Sequence, residues 1–222
     1  MSHAYFLTGT DTEIGKTFVT CALLHRARQF GLTVAGIKPV AAGTDAAGRN
    51  DDVERIRAAS DVALAEDVIN PYCFAPAIAP HLAAAEAGVA IDFARIAAAC
   101  ASARRQADLV IVEGVGGFRV PLGVDRDSAD LAVTLALPVI LVVGLRLGCL
   151  NHALLTAEAI AARGLTLAGW VANRIDPDMA RADDNIAALR ERLGAPLLGS
   201  VPRCAGGQPA DAAGHLDLPP EF

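Results

Sequence analysis

Six short apolar runs constrain this chain more than any other feature: Tyr5–Thr8, Val34–Lys38, Leu109–Val112, Val139–Val143, Leu167–Ala172 and Leu197–Val201. They are rich in β-branched residues, and most do not alternate with polar positions. A strand that stays apolar at consecutive positions is buried on both faces, which is the pattern of a parallel strand covered by helices. Helical patterns fill the intervals at Lys16–Gln29, Asp51–Ala59, Asp92–Gln106, Asn151–Arg163 and Arg181–Leu193. Gly31, Gly164 and Gly194 follow three of them, where helix C-terminal caps belong. The repeated strand–helix order predicts an α/β fold, a doubly wound, mostly parallel sheet flanked by helices. Ligands are then expected at the C-terminal ends of the strands. Ala41–Asn50 reads as a glycine-containing loop and Ala205–Phe222 as an irregular tail.

The chain has 222 residues, 53% of them hydrophobic, enough for a core without disulfide or metal staples. Residues 1–222 are expected to form a single domain. Five widely spaced cysteines, with no C-x-x-C pair, point to reduced thiols. A net charge of −6 excludes a surface built to coat nucleic acid, because no basic stripe is present to displace counterions. It leaves room for a local anion pocket. The N-terminus lacks a signal-peptide pattern, and the apolar uncharged run between Asp130 and Arg146 is interrupted by Pro138 and too short to span a membrane. A cytoplasmic location is expected.

The first apolar run leads into Gly9-Thr10-Asp11-Thr12-Glu13-Ile14-Gly15-Lys16-Thr17, and a helix follows. Backbone N–H groups at a helix start cradle phosphate, a lysine neutralises the β- and γ-groups, and a hydroxyl ligates Mg²⁺. The loop is one residue longer than the usual G-x-x-x-x-G-K-[ST]. A strand-to-helix turn with a chance Gly-Lys-Thr is the plainer alternative, and the placement between strand and helix favours the phosphate loop. Asp11 and Glu13 would repel phosphate, so they are expected to turn outward, orient a metal or meet a cationic substrate.

The second run ends in Lys38-Pro39-Val40-Ala41-Ala42-Gly43. Lys38 is read either as an exposed edge lysine or as a second cation for a migrating phosphoryl group; Lys16 at the same sheet edge favours the second. Asn50-Asp51-Asp52 opens a helix, so Asn50 or Asp51 is expected to cap it, and Asp52 stands open between structural carboxylate and metal ligand. The third run is followed by Glu113-Gly114-Val115-Gly116-Gly117. A carboxylate at the end of a buried strand, downstream of a phosphate loop, is where Mg²⁺ is held, and the glycines allow close approach of phosphate.

Together with Leu147-Gly148-Cys149-Leu150-Asn151-His152 and Gly169-Trp170-Val171-Ala172-Asn173, these segments resemble the dethiobiotin synthetase family, within the P-loop NTPase superfamily, over nearly the whole chain. The resemblance implies an ATP- and Mg²⁺-dependent ligase that converts 7,8-diaminopelargonate and CO₂ to dethiobiotin, ADP and phosphate, through a carbamate and a mixed anhydride. It implies that Glu13, Ile14, Gly15, Lys16, Thr17 and Phe18 wrap the phosphates, bordered by Gly114, Val115 and Gly116. Thr17, Asp52 and Glu113 would hold Mg²⁺, which tips Asp52 towards metal. Lys38 would contact the carbamate and γ-phosphate, and Thr12 would lie beside the substrate amines. Asn173 and Arg174 would face the adenine, helped by Pro202, Arg203 and Cys204. The substrate would also meet Ala42, Gly117 and, across a homodimer interface, Gly148, Cys149, Leu150 and Asn151; Asn151 is in addition a candidate N-cap of the following helix.

Two departures stand out. Ala42 replaces a hydroxyl that relatives often carry, and Ala210 or Asp211 stands where a ribose-facing glutamate is expected. The competing reading from another class is a partition-type ATPase switch acting on DNA or membrane. It calls for a basic surface or an amphipathic C-terminal helix, and Pro209–Phe222 offers neither.

Overall fold

The computed structural model describes residues 2–203 and 207–220. In chain order the elements are β1 (His3–Gly9), α1 (Lys16–Gln29), β2 (Val34–Ile37), β3 (Val40–Ala42), α2 (Asp51–Ala59), α3 (Glu66–Ile69), β4 (Tyr72–Phe74), α4 (Pro80–Glu86) and α5 (Phe93–Arg104). There follow β5 (Leu109–Glu113), α6 (Ser128–Leu135), β6 (Val139–Gly144), α7 (Cys149–Ala162), β7 (Leu167–Asn173), α8 (Ala182–Arg192), β8 (Leu197–Val201) and α9 (Pro209–Ala212), and then a 3₁₀ turn at Ala213–His215.

All six expected strands form one parallel sheet in the order β2-β5-β1-β6-β7-β8. Its two faces explain the unbroken apolar runs. Phe6, Ile37, Val110 and Val112 point to one face and pack with Phe93, Ile96 and Cys100 of α5 and Leu131 of α6. Tyr5, Leu7, Ile111 and Ile140 point to the other, against Val19, Leu23 and Leu24 of α1. Each such fully buried aliphatic side chain contributes about 1.5–3 kcal/mol. A third cluster covers the β6–β7 edge, where Trp170 lies fully buried among Leu141, Val143, Ala153 and Leu189.

Because the strands are parallel, the loops after β1, β2, β5, β6 and β7 all open at one edge of the sheet. The chain leaves β1 towards β2, returns to β5 beside β1, and then builds outward through β6, so the loops after β1 and β5 meet where its course reverses. Gly31, Gly164 and Gly194 take positive φ just past their helices, as expected of caps.

Three expectations are corrected. The Ala41–Asn50 loop begins inside β3, which pairs with β4 in a separate two-stranded parallel sheet. The tail is not irregular throughout: α9 and the 3₁₀ turn pack on α1, burying Ala212, Ala213 and Leu216. Helix α7 starts at Cys149 with Gly148 as its cap, so Asn151 lies inside the first turn and is not the N-cap. Helix α6 has no counterpart in the sequence reading; Asp127 and Asp130 form a reciprocal capping box at its start.

Candidate active site

The loop after β1 turns sharply into α1. Gly15 caps the helix with φ +80, and a Cβ there would lie 2.3 Å from Nδ2 of Asn173. Glycine is required on both counts, for the left-handed backbone and for the close approach. That amide donates to the Ile14 carbonyl at 2.7 Å, which ties the phosphate loop to the end of β7. Thr17 lies in the first turn of α1, and Lys16 sends its ammonium back to the carbonyl of Asp11 at 2.7 Å. Burial pulls the Lys16 pKa down to about 8, and the nearby Lys38 charge works in the same direction.

The Asp11 side chain turns away from the cavity. One oxygen accepts from Thr12 N–H at 2.8 Å, and the other pairs with Arg146 in the loop after β6. Glu13 is exposed in a left-handed conformation, φ +60. Asp11 therefore faces outward, one of the three options open in the sequence, whereas Glu13, though exposed, stays on the lining of the cavity.

Lys38 sits just past β2 and is 3% exposed, so the edge-lysine reading is excluded. Its backbone N–H donates to Ile69, and the buried Asn70 amide donates to its carbonyl. Its ammonium donates to Glu113 Oε1 at 2.6 Å and to the Gly114 carbonyl at 3.2 Å, and lies 3.4 Å from Asp52 Oδ2. Burial alone would lower its pKa. The two carboxylates outweigh that and hold it above the ordinary value, so Lys38 is charged. Asp52 is likewise held below the usual carboxylate range: its partial burial is outweighed by Lys38, the Thr17 hydroxyl and Lys16.

Glu113 is wholly buried at the end of β5. Its Oε1 accepts from Thr17 Oγ1 at 2.7 Å as well as from Lys38, and its Oε2 accepts from Thr20 Oγ1 at 2.6 Å. Thr20, Asn70 and Arg146 are contacts that sequence reasoning missed. For Thr20 a signal existed, since three residues after Thr17 it shares that helix face.

These groups border a cavity of about 850 Å³. Thr12, Glu13, Gly15, Lys16, Thr17, Phe18, Lys38, Ala42, Asp52, Val115 and Gly116 line it, as the sequence reading grouped them. It also includes Arg55 and an apolar wall, Ala77 to Pro80 with Val120, that sequence reasoning did not find. Gly117 sits beside the β1 loop outside that lining, its carbonyl accepting from Ser128.

The other expected contacts lie elsewhere. Asn173, Arg174, Pro202 and Arg203 sit at or just past the C-terminal ends of β7 and β8, behind the loop; Cys204 falls outside the described residues. Arg174 is engaged with Ser200 and Asp183. Gly148–Asn151 opens α7 outside the cavity lining, with Asn151 exposed. Asn50, not Asp51, caps α2 by accepting from Val53 N–H, which leaves Asp52 free for the site. Asp211 lies inside α9 and accepts from the N–H of Gln208, which is that helix's N-cap.

A phosphate loop, two lysines and Asp52 on one cavity, with Glu113 buried behind Thr17 and Lys38, are equipped for phosphoryl transfer. Comparison with known proteins agrees. A family profile described as an AAA domain matches residues 3–209. The chain is 65% identical over 219 residues to the ATP-dependent dethiobiotin synthetase BioD of Aromatoleum aromaticum, covering 97% of each. It is 57% identical to the protein of that name from a Janthinobacterium species, covering 96% of this chain and 93% of that one. For the Pseudomonas aeruginosa protein the figures are 55%, 98% and 97%.

Among solved structures, MinD from Aquifex aeolicus superposes with a TM-score of 0.59 at 16% identity, over 96% of this chain and 93% of that one. MinD from Pyrococcus horikoshii, complexed with Mg-ADP, gives 0.55 at 16%, over 91% and 82%. At such identities the likeness speaks for the fold alone. With the profile, the relatives and the site in agreement, the chain belongs to the family of ATP-dependent dethiobiotin synthetases.

Proposed function

We propose that residues 1–222 act as one ATP-binding domain, in the cytoplasm, that closes 7,8-diaminopelargonate and CO₂ into dethiobiotin with release of ADP and phosphate. One substrate amine adds to CO₂ and loses a proton, giving a carbamate. A carbamate oxygen attacks the γ-phosphorus of ATP, and the bond to ADP breaks. The second amine then attacks the carbonyl carbon of the mixed anhydride, expelling phosphate, loses a proton and closes the ring.

The observation that carries this reading is the pairing of Lys16 with Lys38 on one cavity. Lys16 serves the β- and γ-phosphates from the loop, and Lys38 meets the carbamate and γ-phosphate from the end of β2, so the migrating group travels between two fixed cations. Thr12 lies beside the amines. The apolar wall at Ala77–Pro80 suits an alkyl chain, and Ala42 leaves the substrate one hydroxyl contact short. In this reading the Asn173 amide oxygen faces the exocyclic amine of adenine while its nitrogen holds the loop, with Arg174 and the backbone at Pro202 and Arg203 alongside.

Magnesium fits the donor set. Thr17, Asp52 and Glu113 offer hard oxygen atoms, and Lys38 already lies between the two carboxylates, so their charge is arranged to receive a cation. No group of three Asp, Glu, His or Cys side chains forms a metal cage among the described residues, which suits an ion bound mainly through nucleotide phosphates. When bound, Mg²⁺ neutralises charge on the β- and γ-oxygens. We further propose a homodimer in which Gly148–Asn151 of one protomer meets the substrate carboxylate bound by the other. The exposure of Leu147 and Leu155, in and next to the first turns of α7, supports this.

The test is phosphate release from ATP by the purified protein. It should require diaminopelargonate and bicarbonate together and yield dethiobiotin by mass spectrometry. Hydrolysis stimulated by DNA or lipid vesicles, with no dethiobiotin formed, would replace this reading with the partition-type switch.

A further inference from the structure

Glu113 is divided between two tasks. Its Oε1 receives Thr17 and Lys38, both on the cavity, whereas its Oε2 receives only the Thr20 hydroxyl among the described residues, at 2.6 Å. Thr20 is fully buried on α1, one turn past Thr17, and takes no part in the cavity lining. A helical threonine commonly sends its hydroxyl back to the carbonyl one turn earlier. Here the single hydroxyl proton crosses to the neighbouring strand instead.

The bond matters because a glutamate's terminal torsion is soft and broad. Nothing in the Glu113 backbone decides which way its carboxylate plane turns. A charge-assisted O–H···O⁻ bond of this length, shielded from water, supplies that decision. We propose that Thr20 is a positioning residue for the reaction. By holding Oε2 it sets the rotation of Glu113, which keeps Oε1 presented to Thr17, to Lys38 and to the cation that accompanies ATP. The inference rests on the role of Glu113 in the function proposed above. Without the Thr20 hydroxyl, Oε2 is buried with no donor, and the carboxylate swings to share Lys38 and Thr17 between its two oxygens.

The experiment uses the full-length protein with Thr20→Val, which keeps the shape and removes the donor, Thr20→Ala as a second deletion, and Thr20→Ser, which restores the hydroxyl. Mn²⁺ binding to the ADP complex is read by electron paramagnetic resonance, alongside kcat and the KM for ATP. Thr20→Val and Thr20→Ala should weaken Mn²⁺ binding roughly tenfold, the scale of losing a partner behind a metal ligand. Both should lower kcat while the KM for ATP moves less than about threefold, and Thr20→Ser should recover both losses. A purely structural threonine would lower the melting temperature and leave Mn²⁺ binding and its Ser rescue unmoved. Wild-type Mn²⁺ affinity in Thr20→Val or Thr20→Ala, or equal losses in the Ser and Val variants, would overturn the proposal. Failure of the functional reading itself would show separately, as wild-type protein that makes no dethiobiotin.

Discussion

Lys16 and Lys38 border the same cavity, and the protein treats them in opposite ways. Lys16 comes from the loop after β1 and has a backbone carbonyl as its bonded partner, so burial and the neighbouring lysine pull its pKa down to about 8. Lys38 comes from the end of β2 and lies between two carboxylates, so its pKa is held up. One cation has no carboxylate within ion-pair distance among the described residues and is open to a phosphate. The other is already neutralised and is held in a fixed position. The contrast teaches that cavity charge is set by local pairing, and that the net charge of −6 says nothing about it.

Four measurements can break or sharpen that comparison. The largest effect is expected on turnover: Lys16→Met and Lys38→Met should each reduce dethiobiotin formation by about 10²–10³-fold or more. Lys16→Met should also weaken ATP binding, whereas Lys38→Met should leave ADP affinity within a few-fold. Equal losses of nucleotide affinity would erase the distinction between the two cations.

Next comes stability under urea. Lys38→Met strands Glu113 in the core and should cost about 3–5 kcal/mol, much of it recovered by adding Glu113→Gln. Lys16→Met removes a buried charge that has no carboxylate bonded to it among the described residues, and should be neutral or stabilising. Destabilisation of the same size in both variants would show that the pairing difference has no energetic weight.

The third is pH. Because the Lys16 pKa falls from 10.5 to about 8 on folding, the unfolded chain binds more protons between those values, and this residue's contribution to stability rises with pH across that window. Nucleotide phosphates need Lys16 charged. ATP affinity should therefore fall above pH 8, by at most about tenfold per unit, with proton uptake detectable by calorimetry in buffers of different ionisation enthalpy. Lys16→Arg should flatten the dependence, since arginine stays charged. The smallest effect belongs to Asp11→Ala. It removes a half-exposed ion pair with Arg146 but leaves the carbonyl that Lys16 uses, so ATP affinity should change by less than about fivefold.

The sheet was legible because burial on both faces writes each strand as an unbroken apolar run. Helix α6 was not, because Leu131 to Leu135 continues into β6 as one uncharged stretch, and its cap is a pair of aspartates instead of the more familiar serine or threonine with glutamate. Strands β3 and β4 are three residues each and carry no periodicity to read. In the site, contacts made within contiguous segments were readable, as in Gly15-Lys16-Thr17. Those that depend on folding were not: Thr20 on Glu113, Asn70 on Lys38, Arg146 on Asp11, and the Ala77–Pro80 wall. Asn151 shows the opposite failure, a residue type suited to capping at a position where the helix has already begun.

Trp170, the only tryptophan in the chain, lies fully buried on β7, and its indole N–H has no hydrogen-bond partner among the described residues. An indole in dry aliphatic surroundings emits at short wavelength and shifts to the red when water reaches it. Its strand ends three residues later at Asn173, the residue that grips the phosphate loop. The molecule thus carries one native optical probe on the strand that anchors its nucleotide loop, away from the cavity, where ligand chromophores do not quench it by contact.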